Sequence, residues 1–573
     1  MKPSVKPPTR LIILCLGFVL LNVCGVLSGA QAQQIQVTAA DPPMAAQGTI
    51  NLNVKVTGKG FKNGAKAKWF VSGTTDPGGV TVNSTTFVNS TEVDANITVS
   101  DTAVITNFDI QVLNSDGRGG KGTELFAVIS NDANPNATQC TVQPLPAGIS
   151  LVAAFNYVNT CASCTGAHYG PALGTTIRAR RMILNGAPVL VVGVSSSPSV
   201  APKLEIFFVD PVSGQVLDGT NIGSATSAQP HVTVSGPGGR SLAVGDVNND
   251  GIPDFVAGQV ANAVLGSVDI NGVLSYQNYP LTMPATATGA GWGVAMGDLN
   301  GTGRDVIAVG AIGGGNGQAA LGEVSLFSFN GSGFTNTQNI VSPLPNPKKD
   351  ESFGRGVAIA DVTGTGAKDL MVGAPYSIVN GVTAAGRVFV FPGPVSGSNY
   401  LTFTTGLKSD YFGNKVASGD VNGDFMGDLL AATLSGNDIK AHVYNGLLSQ
   451  GESPSFVLRP ISGLSLGWST DEPDMNDVNG DGLADVLIGA PNGASGSICG
   501  GAAYLYLSGG VGFPLATRLM LNTPVLETSS STFQVFGWAT AFAPGTRLFF
   551  VSDHGLDLGS TTNAGQVYVY KVN

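Results

Sequence analysis

The strongest constraint on this chain is an internal repeat that occurs five times in its second half. Each copy contains an apolar stretch, an acidic turn, a second apolar stretch and an alternating aromatic strand, and the clearest copy lies between Phe353 and Phe391. Successive copies are 52, 63, 59 and 57 residues apart, counted between the aspartates that open the acidic turns: Asp246, Asp298, Asp361, Asp420 and Asp477. A period of this size is typical of architectures in which each unit buries its apolar face only against neighbouring units.

Two weaker copies bracket these five. Residues 181–193 and 536–551 keep a pair of apolar strands but lack the acidic turn. Seven units spread over residues 151–573 give about 60 residues each, which is enough for a four-stranded blade with its loops. We therefore predict an all-β chain in which residues 151–573 form a seven-bladed β-propeller. Closing that ring requires residues 567–570 to pair with a strand near residues 151–158.

A different pattern precedes the repeats. Residues 50–56, 93–99 and 108–112 alternate apolar and polar side chains with a period of two, which predicts half-buried strands. We predict that residues 33–130 form a small β-sandwich. The Pro- and Asn-rich residues 131–150 are predicted to be a linker.

Several turns in the predicted β-sandwich resemble those of bacterial immunoglobulin-like domains of the IPT/TIG kind. The resemblance rests on residues 58–61, on Gly64, on Trp69 with Phe70, and on a turn at Gly117. It implies a domain that acts as a spacer or presents its neighbour.

The N-terminus has the pattern of an export signal. Lys2, Lys6 and Arg10 precede an apolar run over residues 11–27, and a small-x-small site follows at residues 30–32. We predict a signal peptide over residues 1–32 and hence a secreted, periplasmic or cell-surface protein. Lipoprotein processing at Cys24 is the alternative, but Val23 stands where a small residue is usual. No later run has the length of a membrane span.

The composition favours short strands joined by tight turns and argues against some partners. The chain has 79 glycines and only 12% charged residues, as expected of a turn-rich β protein. Its net charge of −10 argues against nucleic acid, because no basic stripe is present to neutralise phosphates. An acidic chain favours cations instead.

Four cysteines lie beyond the predicted signal peptide, at Cys140, Cys161, Cys164 and Cys499. An oxidising compartment permits disulfides, so we predict structural disulfides with the pairing left open. The Cys161–Cys164 spacing also fits a redox pair or half of a zinc site, but no second such pair or paired histidines accompany it.

The acidic turns are candidate calcium sites. We number them loops 1 to 5 in chain order: 246–254, 298–305, 361–369, 420–428 and 477–485. Loops 1 and 5 carry the full pattern Asp-x-Asn-x-Asp-Gly-x-x-Asp. Oxygen ligands at positions 1, 3 and 5 of a tight turn converge on one point, Gly at position 6 permits the bend, and calcium accepts such oxygens. Zinc is disfavoured, since the loops contain no His or Cys.

The candidate ligands comprise side chains at positions 1, 3, 5 and 9, and the position-7 carbonyl oxygens of loops 1 and 5. They are Asp246, Asn248, Asp250, Ile252 and Asp254 in loop 1, Asp361, Thr363, Thr365 and Asp369 in loop 3, Asp420, Asn422, Asp424 and Asp428 in loop 4, and Asp477, Asn479, Asp481, Leu483 and Asp485 in loop 5.

The loops differ in their expected affinity for calcium. We expect loops 1, 4 and 5 to bind, because three or more carboxylates crowded in one turn repel each other unless a cation is present. In loop 4, Phe425 replaces the glycine. Loop 3 keeps only two carboxylates and should bind more weakly, and loop 2 is read as one residue short and is not expected to bind. Ordinary Asx-turns are the alternative interpretation of each loop.

This repeat resembles the FG-GAP family, which includes the propellers of integrin α subunits and bacterial relatives. The resemblance implies a non-catalytic, calcium-binding recognition or adhesion module, expected to be a monomer, for a protein or glycan ligand. A carbohydrate-binding propeller is an alternative, since Trp292, Trp468 and Trp538 fall near equivalent Phe-Gly positions, where burial is the competing role. A polysaccharide lyase or hydrolase is a further alternative, but the sequence identifies no carboxylate pair for it.

Overall fold

The computed structural model describes residues 35–46, 49, 51–100, 103–104, 106–129, 145–155, 173–196, 202–217, 232–258, 261–313, 321–345, 351–434, 440–458, 473–491, 501–509, 513, 518–524, 535–556 and 565–573. The regular elements of these residues are all β-strands, which confirms the all-β prediction. Within them, no helix has the length and hydropathy needed to cross a membrane. The predicted signal peptide, the four cysteines and most of the predicted linker lie outside the described residues.

Eight strands precede the repeats. They are β1 (Gln36–Asp41), β2 (Met44–Ala46), β3 (Leu52–Lys59), β4 (Lys66–Val71), β5 (Val80–Asn89), β6 (Glu92–Val99), β7 (Thr106–Leu113) and β8 (Gly119–Ile129). They form two four-stranded sheets with the orders β1-β3-β6-β5 and β2-β8-β7-β4. Strand β2 runs parallel to β8, and the other pairs are antiparallel.

One apolar core lies between these two sheets. In β3, Val54 and Val56 are buried while Lys55 is exposed, because successive side chains of a strand point to opposite faces. The valines share a core with Trp69 and Ile110 of the second sheet. Residues 35–129 therefore form a β-sandwich.

The remaining strands belong to the repeats. They are β9 (Ile149–Phe155), β10 (Leu173–Leu184), β11 (Ala187–Ser196), β12 (Lys203–Val209), β13 (Val216–Leu217), β14 (Val232–Ser235), β15 (Leu242–Gly245), β16 (Asp254–Ala257), β17 (Asn262–Val268), β18 (Leu274–Pro280), β19 (Ala290–Gly297), β20 (Val306–Ala311), β21 (Glu323–Phe329), β22 (Phe334–Val341), β23 (Val357–Ala360), β24 (Asp369–Ala374), β25 (Arg387–Phe391), β26 (Leu401–Phe403), β27 (Lys415–Gly419), β28 (Asp428–Ala432), β29 (Ala441–Tyr444), β30 (Phe456–Leu458), β31 (Asp474–Asn476), β32 (Asp485–Ala490), β33 (Ala502–Tyr506), β34 (Arg518–Asn522), β35 (Phe536–Phe542), β36 (Leu548–Asp553) and β37 (Gln566–Val572).

The described part of the repeat region contains seven antiparallel sheets in succession. Their orders are β10-β11-β12-β13 with β14 beside β12, β15-β16-β17-β18, β19-β20-β21-β22, β23-β24-β25-β26, β27-β28-β29-β30, β31-β32-β33-β34 and β35-β36-β37-β9. Each sheet is a meander in which neighbours in sequence are neighbours in space. This is the arrangement of propeller blades.

The seven sheets close into a ring. The first strand of each sheet contacts the first strand of the next, and β35 of the last sheet contacts β10 of the first. The last sheet is completed by β9, in which Ala153 lies opposite Val569 of β37. This pairing confirms the predicted closure of the ring between its first and last strands. Strand β9 supplies the fourth strand of the last sheet.

The phenylalanine of the Phe-Gly pair and the glycine of the later Gly-Ala-Pro segment have separate roles in this packing. Phe353 is fully buried against Phe389 and Phe391. Gly373 lies so close to the next sheet that an added Cβ would come within 1.9 Å of the carbonyl oxygen of Gly413. The aromatic ring fills the space between sheets, and the glycines let the backbones of adjacent sheets approach.

Removing the Phe353 ring should therefore destabilise the propeller. We expect Phe353→Ala to lower the free energy of unfolding by about 3–5 kcal/mol, because it leaves a cavity between sheets. Phe425→Ala is the matched control, since Phe425 is 98% exposed, and its effect should be small. Thermal or denaturant unfolding measures both, and equal losses for the two variants would contradict the packing described.

Candidate metal centres

The five acidic loops lie at one end of the ring. Each connects the first strand of a sheet to the second, in five consecutive sheets from β15-β16 to β31-β32. The hairpin register is the same in all five. The residues paired next to each loop are Gly245 with Asp254, Gly297 with Val306, Ala360 with Asp369, Gly419 with Asp428, and Asn476 with Asp485.

The aspartate at position 1 organises each turn. Its carboxylate accepts a hydrogen bond from the backbone N–H of position 6 in every loop. The donors are Gly251 at 2.8 Å, Gly303 at 2.7 Å, Gly366 at 2.8 Å, Phe425 at 2.8 Å and Gly482 at 2.8 Å. All five donors have positive φ, between 64° and 87°, as the tight bend requires. Position 1 therefore holds the loop curled around its own carboxylate.

The aspartate at position 9 ties four of the loops to the rest of their sheets. Asp254, Asp369, Asp428 and Asp485 are all fully buried. One carboxylate oxygen of each accepts the N–H of position 2: Val247 at 2.9 Å, Val362 at 2.8 Å, Val421 at 2.7 Å and Val478 at 3.0 Å. The other accepts an N–H in or just after the third strand: Gly266 at 2.9 Å, Gly393 at 3.0 Å, Gly446 at 2.6 Å and Ser508 at 2.9 Å.

The intermediate positions of loops 1 and 5 place further oxygens in the turn. Asn248 donates from Nδ2 to Oδ2 of Asp250 at 2.8 Å, and Asn479 makes the same contact with Asp481 at 2.9 Å. Among the described residues, the carbonyl oxygen of Ile252 accepts no hydrogen bond, which leaves it available as a ligand.

Crowding of carboxylates in loops 1, 4 and 5 changes the acidity of position 9. Burial, together with the charges of Asp250 and Asp246, raises the pKa of Asp254 to about 7. Burial and the two other loop carboxylates likewise raise the pKa of Asp428 to about 6 and that of Asp485 to about 7. Burial is the largest cause of these raised pKa values, and the charges of the neighbouring carboxylates add to it. A bound cation would favour the ionised form of each carboxyl.

Loop 2 differs from its sequence-based interpretation. It is not one residue short, because Gly297 pairs with Val306 as Gly245 pairs with Asp254. Val306 takes position 9, and Asp305 takes position 8. The Asp305 carboxylate instead accepts the backbone N–H of Asp246 in loop 1 at 2.7 Å and lies 3.5 Å from Arg180. The replacement of the position-9 aspartate by Val306 is hard to recognise in the sequence, because an aspartate is still present one residue earlier, at Asp305.

Backbone contacts also link neighbouring loops. The N–H of position 8 donates to the position-1 carbonyl of the preceding loop, from Asp305 to Asp246 at 3.0 Å and from Ala484 to Asp420 at 2.6 Å. Gly427 makes the same bond to Asp361 at 2.8 Å. Sequence reasoning treated the loops as independent and missed this chain of contacts, since position 8 has no fixed residue type.

Loop 3 is partly satisfied by its own side chains. The Thr363 hydroxyl donates to Oδ1 of Asp369 at 3.0 Å, and its backbone N–H donates to Oδ2 at 2.8 Å. Only two carboxylates are present, so less negative charge accumulates than in loops 1, 4 and 5. This arrangement fits the expectation of weaker binding, which stays a prediction.

The residues of loops 1, 4 and 5 fit a hard cation such as calcium. Their donors are carboxylate, amide and carbonyl oxygens, the types that calcium prefers. Within the described ranges, no group of three or more His, Cys, Asp and Glu side chains is already gathered as a metal site. The position-1 carboxylates contact their own backbone N–H groups instead, so binding would require the amide oxygen at position 3 and the carboxylates at positions 5 and 9 to turn toward a common point.

Phe425 gives a direct test of strain in loop 4. It has a φ of 64°, a left-handed conformation that costs a non-glycine residue about 1–2 kcal/mol. We expect Phe425→Gly to raise the free energy of unfolding by about 1 kcal/mol, offset in part by the greater freedom of glycine in the unfolded chain. Phe425→Ala is the control, because alanine keeps the Cβ and should give no such gain. A loss of stability in the glycine variant would contradict this account.

The raised carboxyl pKa values predict how the calcium-free chain responds to pH. Asp254, Asp428 and Asp485 hold their protons more tightly in the folded chain than in the unfolded chain, where the pKa is near 3.8. Between about pH 4 and pH 7 the folded state binds more protons, so the free energy of unfolding falls as pH rises. We expect the melting temperature in chelator to fall over this window.

Asp485→Asn removes one of these titrating groups, so the melting temperature in chelator should fall less steeply with pH. The measured quantity is the slope of the melting temperature against pH, which a loss of stability that is equal at every pH does not change. A melting temperature that rises from pH 4 to pH 7 in both chains would show that these carboxyls are not the controlling groups.

Comparison with known proteins agrees with the repeat pattern. Residues 238–268 and 477–506, which contain loops 1 and 5, match the FG-GAP repeat family. Integrin alpha-4 of Xenopus laevis is 30% identical over 249 residues, which are 41% of this chain and 22% of that protein. Integrin alpha-V of Gallus gallus is 32% identical over 165 residues, 27% of this chain and 15% of that protein. The chain thus spans less than a quarter of either relative.

Two solved structures are also similar. The Dos1 propeller aligns with a TM-score of 0.36 and 9% identity over 74% of this chain and 95% of that chain. An Agrocybe aegerita lectin that recognises non-reducing terminal N-acetylglucosamine aligns with a TM-score of 0.30 and 16% identity over 61% of this chain and 76% of that one. These scores are low, so the fold assignment rests on sheet order and ring closure. The chain is a β-propeller that carries FG-GAP repeats and is similar to integrin alpha subunits.

Proposed function

We propose that this chain is an exported recognition or adhesion module whose propeller binds calcium through loops 1, 4 and 5. The observation that carries the proposal is the repeated acidic loop, in which burial, together with the charges of the carboxylates at positions 1 and 5, raises the pKa of the position-9 aspartate to about 7 in loop 1. Calcium removes this repulsion and holds the loops rigid. Similarity to integrin alpha subunits supports recognition as the role of the ring.

The N-terminal sandwich supports a presenting role. Its sheet orders, β1-β3-β6-β5 and β2-β8-β7-β4, correspond to strands A, B, E, D and to a second sheet of G, F and C with an extra edge strand, as in immunoglobulin domains. We infer an immunoglobulin-like domain that precedes the propeller. The predicted signal peptide, with its apolar run over residues 11–27, supports export.

A protein ligand is favoured over a glycan. Two described tryptophans, Trp292 and Trp538, lie next to the Phe-Gly positions of their repeats, and both are partly buried. The Trp538 ring stacks on the imidazole of buried His554 at 4.8 Å, and the Trp292 ring lies against two guanidinium groups. Both rings already have protein partners, which reduces the aromatic surface on which a sugar could stack.

Counting bound calcium by equilibrium dialysis tests the metal sites. We expect the full mature chain to hold about three ions at micromolar to millimolar calcium, and the variants Asp246→Asn, Asp420→Asn and Asp477→Asn each to lose one. Asp298→Asn, which makes the same change in loop 2, is the matched control and should lose none.

Calcium should also stabilise the chain against heat. At a calcium concentration 100 times the dissociation constant, each ion adds about 2.7 kcal/mol to the free energy of unfolding. No bound calcium, together with identical melting in calcium and in chelator, would refute the metal sites. Arrays of extracellular proteins and of glycans then test recognition, with saturable, calcium-dependent protein binding as the expected result and turnover of a polysaccharide as the contradicting one.

A further inference from the structure

The repeat places a second set of equivalent residues at the end of the ring opposite the acidic loops. The residue six positions before the opening aspartate of loops 1 to 4 is Arg240, Trp292, Arg355 and Asn414, in that order. Each lies at the start of the first strand of its sheet, whereas the acidic loop follows the end of that strand. We call these four residues the cationic cluster.

The cationic cluster is continuous across four neighbouring sheets. The Arg240 guanidinium lies 4.7 Å from the centre of the Trp292 ring, and the Arg355 guanidinium lies 4.4 Å from it. One arginine therefore comes from each of the sheets that flank the sheet of Trp292. Arg355 donates from Nε to Oδ1 of Asn414 at 2.7 Å, which fixes the direction of its guanidinium plane.

Neither arginine has a counter-ion in the part of the chain that the structure describes. No carboxylate there lies within 4.0 Å of either guanidinium, and Arg240 is exposed. Apart from the Nε bond to Asn414, the Arg355 guanidinium donates to no acceptor in the described ranges. The terminal nitrogens of both arginines thus remain able to bind an anion.

Burial makes this arrangement costly without a ligand. Arg355 is only partly exposed, and burial followed by the nearby charge of Arg240 lowers the pKa of its guanidinium. A charge withdrawn from water without a partner is destabilising. An anion that contacts both guanidinium groups would offset their burial and their mutual repulsion.

Aromatic side chains adjoin the cationic cluster. Tyr376 is 38% exposed, lies 6.0 Å from the Arg355 guanidinium, and packs edge-on against Tyr411 at 5.1 Å. Trp, Tyr and Arg are the residues enriched in the energetic centres of protein interfaces. The fork of an arginine matches the two oxygens of a carboxylate.

We propose that the cationic cluster is the docking site for an acidic peptide segment of a protein partner, with an Asp or Glu carboxylate bound by Arg240 and Arg355. This inference rests on the proposed recognition function and assigns it a face and a ligand chemistry. An acidic glycan has the same carboxylate chemistry, but stacking of its sugar ring on Trp292 would compete with the two arginines that already pack against that ring.

The net charge of −10 makes the proposal testable with a simple polyanion, because the rest of the surface repels one. The probe is a fluorescently labelled Glu-rich peptide, titrated with the full chain in calcium and followed by fluorescence anisotropy. We expect saturable binding that weakens with salt and is absent for the same peptide with Gln in place of Glu. Arg240→Gln and Arg355→Gln should each weaken binding by about tenfold or more.

Arg304→Gln is the matched control. It makes the same charge change at an exposed residue of loop 2, at the opposite end of the ring, and should leave binding unchanged. Because Arg240 is exposed, Arg240→Gln carries the test even if Arg355→Gln fails to fold. Polygalacturonate of matched charge is the glycan arm, and it should compete weakly.

The outcomes separate this site from the metal sites. The docking site is supported if the Arg240 and Arg355 variants lose peptide binding but are stabilised by calcium as much as the wild-type chain is. No peptide binding, equal binding by all variants, or binding of polygalacturonate alone would overturn it, even with the calcium response intact. A missing calcium response with arginine-dependent peptide binding would instead overturn the metal sites and support the docking site.

Discussion

A buried carboxylate at the end of four of the five acidic hairpins is the contact on which the rest of this propeller depends. In the four sheets that carry loops 1, 3, 4 and 5, the position-9 aspartate joins the start of the loop to the third strand or its end through two backbone hydrogen bonds. The first three strands of a sheet are thereby held by one side chain. The same carboxylate is reluctant to ionise where two others lie beside it, so the sheet contact and the proposed cation site depend on the same group.

The inner strands separate two kinds of chemistry. In the sheets that carry loops 1 to 4, the first strand begins beside a residue of the cationic cluster and ends at an acidic loop, so the repeat presents carboxylates at one end of the ring and Arg240, Trp292 and Arg355 at the other. A strand of four residues spans about 13 Å, which keeps the two sets apart. We propose that calcium bound at the acidic end holds the loops rigid, whereas the cationic cluster binds the partner.

Much of this architecture could be predicted from the sequence, because a repeated pattern reports the same structure several times. The acidic turns predicted the positions of the hairpins, and residues 567–570 predicted the strand that closes the ring. Loop 2 was misread because an aspartate near the expected place looked like a displaced ligand, whereas the strand register puts Val306 there. Register is set by pairing across the sheet, which a single sequence does not display.

The cationic cluster was equally hidden in the sequence. Trp292 lies near a Phe-Gly position, but its contact with two arginines from flanking sheets depends on how neighbouring sheets pack, which a single sequence does not display. Arg240, Trp292, Arg355 and Asn414 are not all of one type, so a search for a single repeated residue at equivalent positions passes over the set. Their shared distance from the loop aspartates is the signal that would have found them.

A crystal structure of the calcium-loaded chain, with anomalous diffraction to locate the metal, tests the central claim most directly. The account predicts strong anomalous peaks within loops 1, 4 and 5, a weaker peak in loop 3 and none in loop 2. It also predicts that Asp250 and Asp481 turn toward the ion. Loops without peaks at saturating calcium, with Asp246 and Asp477 still bonded only to their own backbone, would contradict it.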